Sequence, residues 1–274
     1  MIRNIEGGYK MEYVTLNDGH KMPILGFGVC LIPASQTVDA VRTALNHGYR
    51  LIDTAEYYNN EKAVGQAVRE SGIPRNEIFV TTKMPPQASY QAAAKRIDES
   101  LAALDIDYID LMLIHWPGSN NVETYRALED AQKAGKVRSI GLSSFYGADY
   151  QQILDECDVV PAVDQNETHI LNQQQAFQKV LNSHGTVLEA WSPFAEGKGN
   201  IFKNATLAKI AQKHNKSVAQ VILRFLIQRG IIAIPKSVHE NRIAENIDIF
   251  DFELDAEDMA TIGSMDEERS LFRW

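Results

Sequence analysis

Eight short runs rich in β-branched residues recur along the chain, separated by stretches whose apolar residues repeat at helical spacing. The runs are 24–29, 50–54, 78–83, 108–115, 137–143, 159–163, 186–190 and 231–234. Strands that alternate with helices build parallel sheets, and eight alternations within 274 residues match a closed (β/α)8 barrel better than an open doubly wound sheet. The helical spacing is seen in Val38, Val41, Ala44 and Leu45, with Ser35 or Thr37 placed to cap the start and Gly48 to stop the end. It returns in Ile97, Leu101 and Leu104, and in 218–229, where Val221, Ile222, Phe225 and Leu226 form the buried face. Ahead of the first run, 13–16 and 21–23 flank Asn17-Asp18-Gly19, a turn signal for a hairpin that would plug the barrel's N-terminal end. No linker rich in Pro, Gly or Ser divides the chain, so residues 1–274 are expected to form one domain, with 1–12 as an extension.

Composition excludes several classes of function. A formal charge of −9 argues against a nucleic-acid partner, which needs an excess of cations on one face. No apolar run approaches the roughly 20 residues of a membrane span. The opening MIRNIEGGYK lacks the apolar core of a secretion signal, so a cytoplasmic protein is expected. Cys30 and Cys157 are far apart and read as reduced thiols, while His115, His169 and His184 show no metal-ligand spacing. Gly26-Phe27-Gly28 is a lone GxG and lacks the rest of a dinucleotide-binding fingerprint.

Polar residues stand where strands hand over to loops: Asp53, Lys83 and His115 at three strand ends, and Tyr58 five residues past Asp53. In a barrel these ends face one pocket. A carboxylate, an ammonium, a phenol and an imidazole can together move a proton, as carbonyl reduction by hydride requires. Tyr58 is the natural acid, with an ordinary pKa near 10 that a neighbouring Lys83 is expected to lower. Asp53 would hold Lys83 charged, and His115 would donate a hydrogen bond to the carbonyl oxygen. Tyr57 is expected at the pocket mouth.

The segments RLIDTAEYYNNE (50–61), FVTTK (79–83), LIHWP (113–117), IGLSSF (140–145), AWSP (190–193) and IPKSVHENRIAEN (234–246) resemble the aldo-keto reductase superfamily in order and along essentially the whole chain. The ending NIDIFDFEL (246–254) is most similar to bacterial 2,5-diketo-D-gluconic acid reductases. The resemblance implies Tyr58 as general acid, with Lys83, Asp53 and His115 completing a tetrad.

After the last strand, Lys236, Ser237 and Arg242 can place two cations and a hydroxyl at a helix start, where free N–H groups and the dipole favour phosphate. In an acidic protein this local charge suits the extra 2′-phosphate of NADP(H). The resemblance assigns Lys236, Ser237 and Arg242 to that phosphate and Glu245 and Asn246 to the adenine, with Val238 in the same stretch. It matches Ser143, Ser144 and Gln165 to residues holding the nicotinamide carboxamide. Trp191, at the end of the seventh strand, can stack on the nicotinamide. Ser192 and Pro193 open a loop, with Glu196-Gly197-Lys198-Gly199, expected to close over the pyrophosphate.

Departures from the family pattern are Ser144 and Asp164, each in place of an Asn, and His169-Ile170 in place of His-Pro. Met84-Pro85 stands after the lysine, and Cys30-Leu31 ends the first strand. The first two are expected to weaken carboxamide contacts, and the last two to alter the substrate pocket. With a short loop after His115 and a short C-terminal tail, an open site lined by Cys30, Tyr57 and Trp116 is expected. Small aldehydes, α-dicarbonyls or keto-sugar acids would be its substrates, and relatives suggest a monomer. The rival functions are a weakly catalytic NADPH-binding interaction module and a hydrolase, the latter lacking any GxSxG elbow.

Overall fold

A computed structural model describes residues 11–272, so residues 1–10 of the expected N-terminal extension lie outside it. The Asn-Asp-Gly turn joins β1 (Tyr13–Thr15) to β2 (Lys21–Pro23) as an antiparallel pair, with Val14 opposite Met22. Gly19 takes φ +89°, a conformation open to glycine at no steric cost. Leu16 and Met22 pack with Leu51, Phe79 and Leu111 inside the barrel floor, so the hairpin plugs the N-terminal end as expected.

The remaining strands are parallel and adjacent in chain order: β3 (Phe27–Gly28), β4 (Leu51–Asp53), β5 (Phe79–Met84), β6 (Ile109–Ile114), β7 (Val137–Ser143), β8 (Val163–Glu167), β9 (Val187–Trp191) and β10 (Ile232–Ala233). The sheet closes on itself. Leu25 bridges Ala233 in parallel, the Gly26 N–H donates to the Ala233 carbonyl at 2.9 Å, and the Gly28 N–H donates to the Pro235 carbonyl at 3.1 Å. The helices are α1 (Ala34–Asn46), α2 (Glu61–Glu70), α3 (Tyr90–Leu104), α4 (Asn121–Lys133), α5 (Gly147–Glu156), α6 (Gln175–Ser183), α7 (Ala205–His214), α8 (Val218–Gln228), α9 (Glu240–Ile247) and α10 (Ala256–Gly263). Among the described residues no helix is long and apolar enough to cross a membrane.

Strand alternation divides the core into two layers. Ile52, Val80, Met112, Ile114, Ile140, Leu142 and Leu188 face outward onto Val41, Leu45, Val64, Ile97, Leu128, Val221 and Phe225 of the helices. Leu51, Phe79, Leu111, Leu113, Val163, Ile232 and Ile234 fill the interior. Burying each such side chain contributes about 1.5–3 kcal/mol. The interior is therefore apolar at its floor, and polar inward positions occur above it.

Three local expectations are corrected. The sixth strand is Val163–Glu167, not 159–163, because Pro161 has no N–H for a ladder and the apolar run before it is a connection. Neither Ser35 nor Thr37 caps α1. Pro33 is its N-cap residue, and the Thr37 hydroxyl, already inside the first turn, donates back to the Pro33 carbonyl at 3.0 Å. The first strand is shorter than 24–29, pairing with β4 only at Phe27 and Gly28. Gly48 does end α1, with φ +100°.

Candidate active site

Inward alternation along β4 and β5 brings Asp53 and Lys83 to the barrel axis, both almost fully buried. Lys83 Nζ donates to Asp53 Oδ1 at 2.6 Å and to the Thr54 carbonyl at 3.0 Å, and it lies 3.4 Å from the Tyr58 hydroxyl. A buried ammonium with this set of partners is satisfied rather than stranded. Tyr58 ends a single 3-10 turn, Glu56–Tyr58, that Asn59 terminates in the left-handed conformation at φ 55°. Asn60 then pins the turn: its Oδ1 accepts from the Thr54 hydroxyl at 2.7 Å, and its Nδ2 donates to the Val29 carbonyl at 3.0 Å and the Ile32 carbonyl at 3.2 Å. Tyr57, the neighbouring phenol, is 65% exposed and meets the Trp116 ring edge-on at 5.6 Å, at the mouth.

His115 follows β6, its ring centroid 5.5 Å from that of Tyr58 and 4.6 Å from that of Trp116. Burial, with the Lys83 ammonium adding to it, pushes its pKa down to about 3. The imidazole is thus neutral at physiological pH and serves as a hydrogen-bond donor rather than an acid. The Tyr58 phenol moves opposite to the sequence expectation: burial first, then the Asp53 charge and Cys30, hold its pKa well above 10. Desolvation of the buried phenol dominates, and Asp53, held 2.6 Å from the ammonium, adds its own negative charge. Tyr58 consequently keeps its proton through the neutral range.

Ser143, Gln165 and Trp191 point inward from the ends of β7, β8 and β9. Gln165 Nε2 donates to Asp53 Oδ2 and to Glu189 Oε2, both at 2.9 Å, and its Oε1 has no donor among the described residues. Ser144 has φ 60°, a left-handed conformation that Asn adopts more readily than Ser, and its N–H donates to the Gln165 carbonyl at 2.9 Å. Ser192 is also left-handed at φ 50°, Pro193 is buried, and the following loop contains five further residues with φ near or above 50° before Ile201. Lys236 and Arg242 are exposed and form no ion pair among the described residues, while Ser237 between them is buried. Val238 is 43% exposed, Glu245 half-buried and Asn246 buried on α9. Among the described residues no cluster of His, Cys, Asp or Glu is arranged to hold a metal.

Two departures do not act where they were expected to. Asp164 and Met84 both have outward parity and are fully buried between sheet and helices, so neither lines the pocket. Cys30, by contrast, is exposed beside Tyr58 at the pocket. Nor is the pocket open on every side. Glu167 at the end of β8 accepts from His169 Nε2 at 2.9 Å, from the Leu271 N–H at 2.8 Å and from the Ser270 hydroxyl at 2.5 Å, which folds the C-terminal tail back over the barrel mouth. The Phe272 ring then meets Trp191 edge-on at 5.1 Å, and Lys198 Nζ lies 3.6 Å above the Phe272 ring.

Asn60, Glu167 and Glu189 are the site residues that the sequence argument missed. A signal existed for Glu189, a lone charge inside an apolar strand and two positions before Trp191, hence on the same face. None existed for Glu167, whose partners in the C-terminal tail, Ser270 and Leu271, are 103 and 104 residues away.

Comparison with known proteins is consistent with this arrangement. The family model described as Aldo/keto reductase family matches residues 26–267. The glyoxal reductase of Bacillus subtilis (strain 168) is 43% identical over 263 residues, covering 95% of each chain. The 9,11-endoperoxide prostaglandin H2 reductase of Trypanosoma cruzi (strain CL Brener) is also 43% identical, over 262 residues covering 94% of this chain and 93% of that one. A Bombyx mori aldo-keto reductase solved in complex with NADP has a TM-score of 0.91 at 34% identity, covering 97% of this chain and 96% of that one.

Proposed function

The chain belongs to the aldo/keto reductase family, an NADP-dependent oxidoreductase class, and from that premise we propose that it reduces small reactive carbonyl compounds, α-dicarbonyls foremost, with Tyr58 as the proton donor. One observation carries the reading: Lys83 Nζ joins Asp53 Oδ1 and the Tyr58 hydroxyl in a single chain of 2.6 and 3.4 Å contacts. Support for an α-dicarbonyl comes from the glyoxal reductase relative. The equally similar prostaglandin-endoperoxide reductase keeps the class broad, as do the small aromatic walls of Tyr57 and Trp116. Keto-sugar acids and simple aldehydes fall in the same class.

The residues present fit NADPH. Gln165 has both Nε2 hydrogens engaged, which leaves Oε1 as an acceptor for a carboxamide N–H, and Ser143 stands beside it. Lys236 and Arg242 have no ion-pair partner among the described residues of a chain of net charge −9, and they flank the buried Ser237 at the entry to α9. They would hold the 2′-phosphate, with Glu245 and Asn246 toward the adenine. NADPH, when bound, supplies the hydride that the carbonyl carbon accepts. Tyr58 gives its hydroxyl proton to the carbonyl oxygen, and Lys83 stabilises the phenolate that remains until solvent reprotonates it. Asp53 keeps Lys83 in place, and neutral His115 donates to the carbonyl oxygen and orients it. The loop after Ser192 and the tail at Phe272 exclude water from above.

Steady-state NADPH oxidation with glyoxal, methylglyoxal and a simple aldehyde tests the reading. Tyr58→Phe should lose about 10²–10⁴-fold in kcat while still binding NADPH. Full activity in Tyr58→Phe, or silence of the wild type toward every carbonyl, would sink it.

A further inference from the structure

Below the tetrad lies a second carboxyl group that the reaction above does not use. Glu189 points inward from β9, is fully buried, and stands beside Ile232 of β10. Its Oε2 accepts from Gln165 Nε2 at 2.9 Å, and that same nitrogen donates to Asp53 Oδ2 at 2.9 Å. Its Oε1 has no partner among the described residues. The charged and titratable groups facing it are Asp53 from β4, Lys83 from β5 and the Tyr58 phenol from the turn after β4. From β8 comes the neutral Gln165, and β10 and the residue after it offer the apolar Ile232 and Ile234. One ammonium therefore serves two carboxyl groups. The Lys83–Asp53 pair is neutral as a unit, so ionised Glu189 leaves one excess negative charge in the barrel interior. A charge buried without a counter-ion is strongly unfavourable, and an incoming cation would relieve it.

The two redox forms of a nicotinamide differ in this respect: the oxidised ring carries a positive charge and the reduced ring none. Gln165, Ser143 and Trp191, which share the inner face with Glu189, are the residues that would hold that ring against this layer. We propose that Glu189 is a positioning residue that sets the balance between NADP⁺ and NADPH. Ionised, it favours the oxidised form; protonated, it releases that preference. The proposal rests on the NADP(H) reading of the pocket. Glu189 also acts through Gln165, because two carboxylate acceptors claim both Nε2 hydrogens and leave Oε1 turned to the ligand.

The ionisation falls within a testable range. Burial, then Asp53, push the Glu189 carboxyl up to about 8, against the Gln165 hydrogen bond and the Lys83 charge. Below that pH the layer is neutral; above it the layer carries the excess charge. By linkage, NADP⁺ should gain affinity relative to NADPH as pH rises. The 2′-phosphate is common to both forms and cancels in their ratio.

The experiment is equilibrium binding of NADP⁺ and of NADPH, followed by protein fluorescence from pH 6 to 9.5, in wild type, Glu189→Gln and Cys30→Ser. In wild type and Cys30→Ser, Kd(NADPH)/Kd(NADP⁺) should rise about tenfold, the effect of roughly one pKa unit of coupling. In Glu189→Gln the ratio should stay flat. A flat wild-type ratio overturns the proposal even if Glu189→Gln fails to fold. So does a slope that survives Glu189→Gln or vanishes in Cys30→Ser. Absence of NADPH binding at every pH would overturn the cofactor reading, and this proposal with it, which separates the two failures.

Discussion

Lys83 Nζ directs its hydrogens to Asp53 Oδ1, the Thr54 carbonyl and Tyr58, at 2.6, 3.0 and 3.4 Å. The side chain is fully buried, so removing either charge of the ion pair leaves the other uncompensated, a loss of about 3–5 kcal/mol in such settings. The same ammonium, with burial, keeps His115 neutral, and this has a measurable sign. In the unfolded chain a histidine titrates near 6.5, whereas the native His115 pKa lies at about 3. Between those values the unfolded state binds the extra proton, so stability falls as pH drops from about 6.5 toward 3. Urea unfolding at pH 7 and pH 4.5 should show a smaller acid loss in His115→Gln than in wild type. Ring proton shifts of His115 should stay constant from pH 8 to 5. A His115 titration near 6.5 would contradict the assigned neutrality.

At the scale of elements, the proton donor sits on three residues of 3-10 turn rather than on a strand, and short turns do not hold geometry unaided. Asn60 supplies the rigidity by joining the Tyr58 turn to Thr54 and to the loop that precedes α1. Asn60→Ala removes three buried hydrogen bonds and deprives the Thr54 hydroxyl of its acceptor, while the Val29 and Ile32 carbonyls each lose one of two donors. It should cost about 2–3 kcal/mol in denaturant unfolding and lower kcat by about tenfold through misplacement of the phenol. An unchanged kcat would show that Lys83 alone positions Tyr58. Ser144 is the converse case, a residue in left-handed backbone at φ 60°. Ser144→Asn should raise stability by about 0.5–1 kcal/mol, read as a shift in the urea midpoint, because Asn tolerates that conformation better.

Across the whole molecule, the net charge of −9 repels a polyanion, while exposed Lys236 and Arg242, without ion-pair partners among the described residues, stand at one end of the barrel. Discrimination for the 2′-phosphate should therefore depend on these two cations and on ionic strength. Lys236→Ala with Arg242→Ala should weaken NADPH about 10–100-fold in fluorescence titration, leave NADH within about threefold, and flatten the salt dependence. Equal weakening of both cofactors would instead point to damage of α9. The opposite end holds a groove of about 290 Å³ between the hairpin and the strand starts, where Asp110 is paired with Arg75 at 2.6 Å and with Arg138 at 3.6 Å.

Periodicity alone was enough for the barrel, the plugging hairpin and the inward placement of Asp53, Lys83 and His115, because alternation along a strand dictates which side chains share a face. The same rule failed at β8, where Asp164, Gln165, Asn166 and Glu167 are polar on both faces and the apolar run before Pro161 mimicked a strand. What no local pattern could settle were contacts between distant segments. Gln165 meets Asp53 across 112 positions of sequence, and Glu167 ties down the tail from 103 positions away. The direction of the Tyr58 shift belongs to this second group. Residue types alone made Lys83 an activating neighbour, but a pKa depends on distances and desolvation, and only the folded barrel buries the phenol and brings the Asp53 charge close to it.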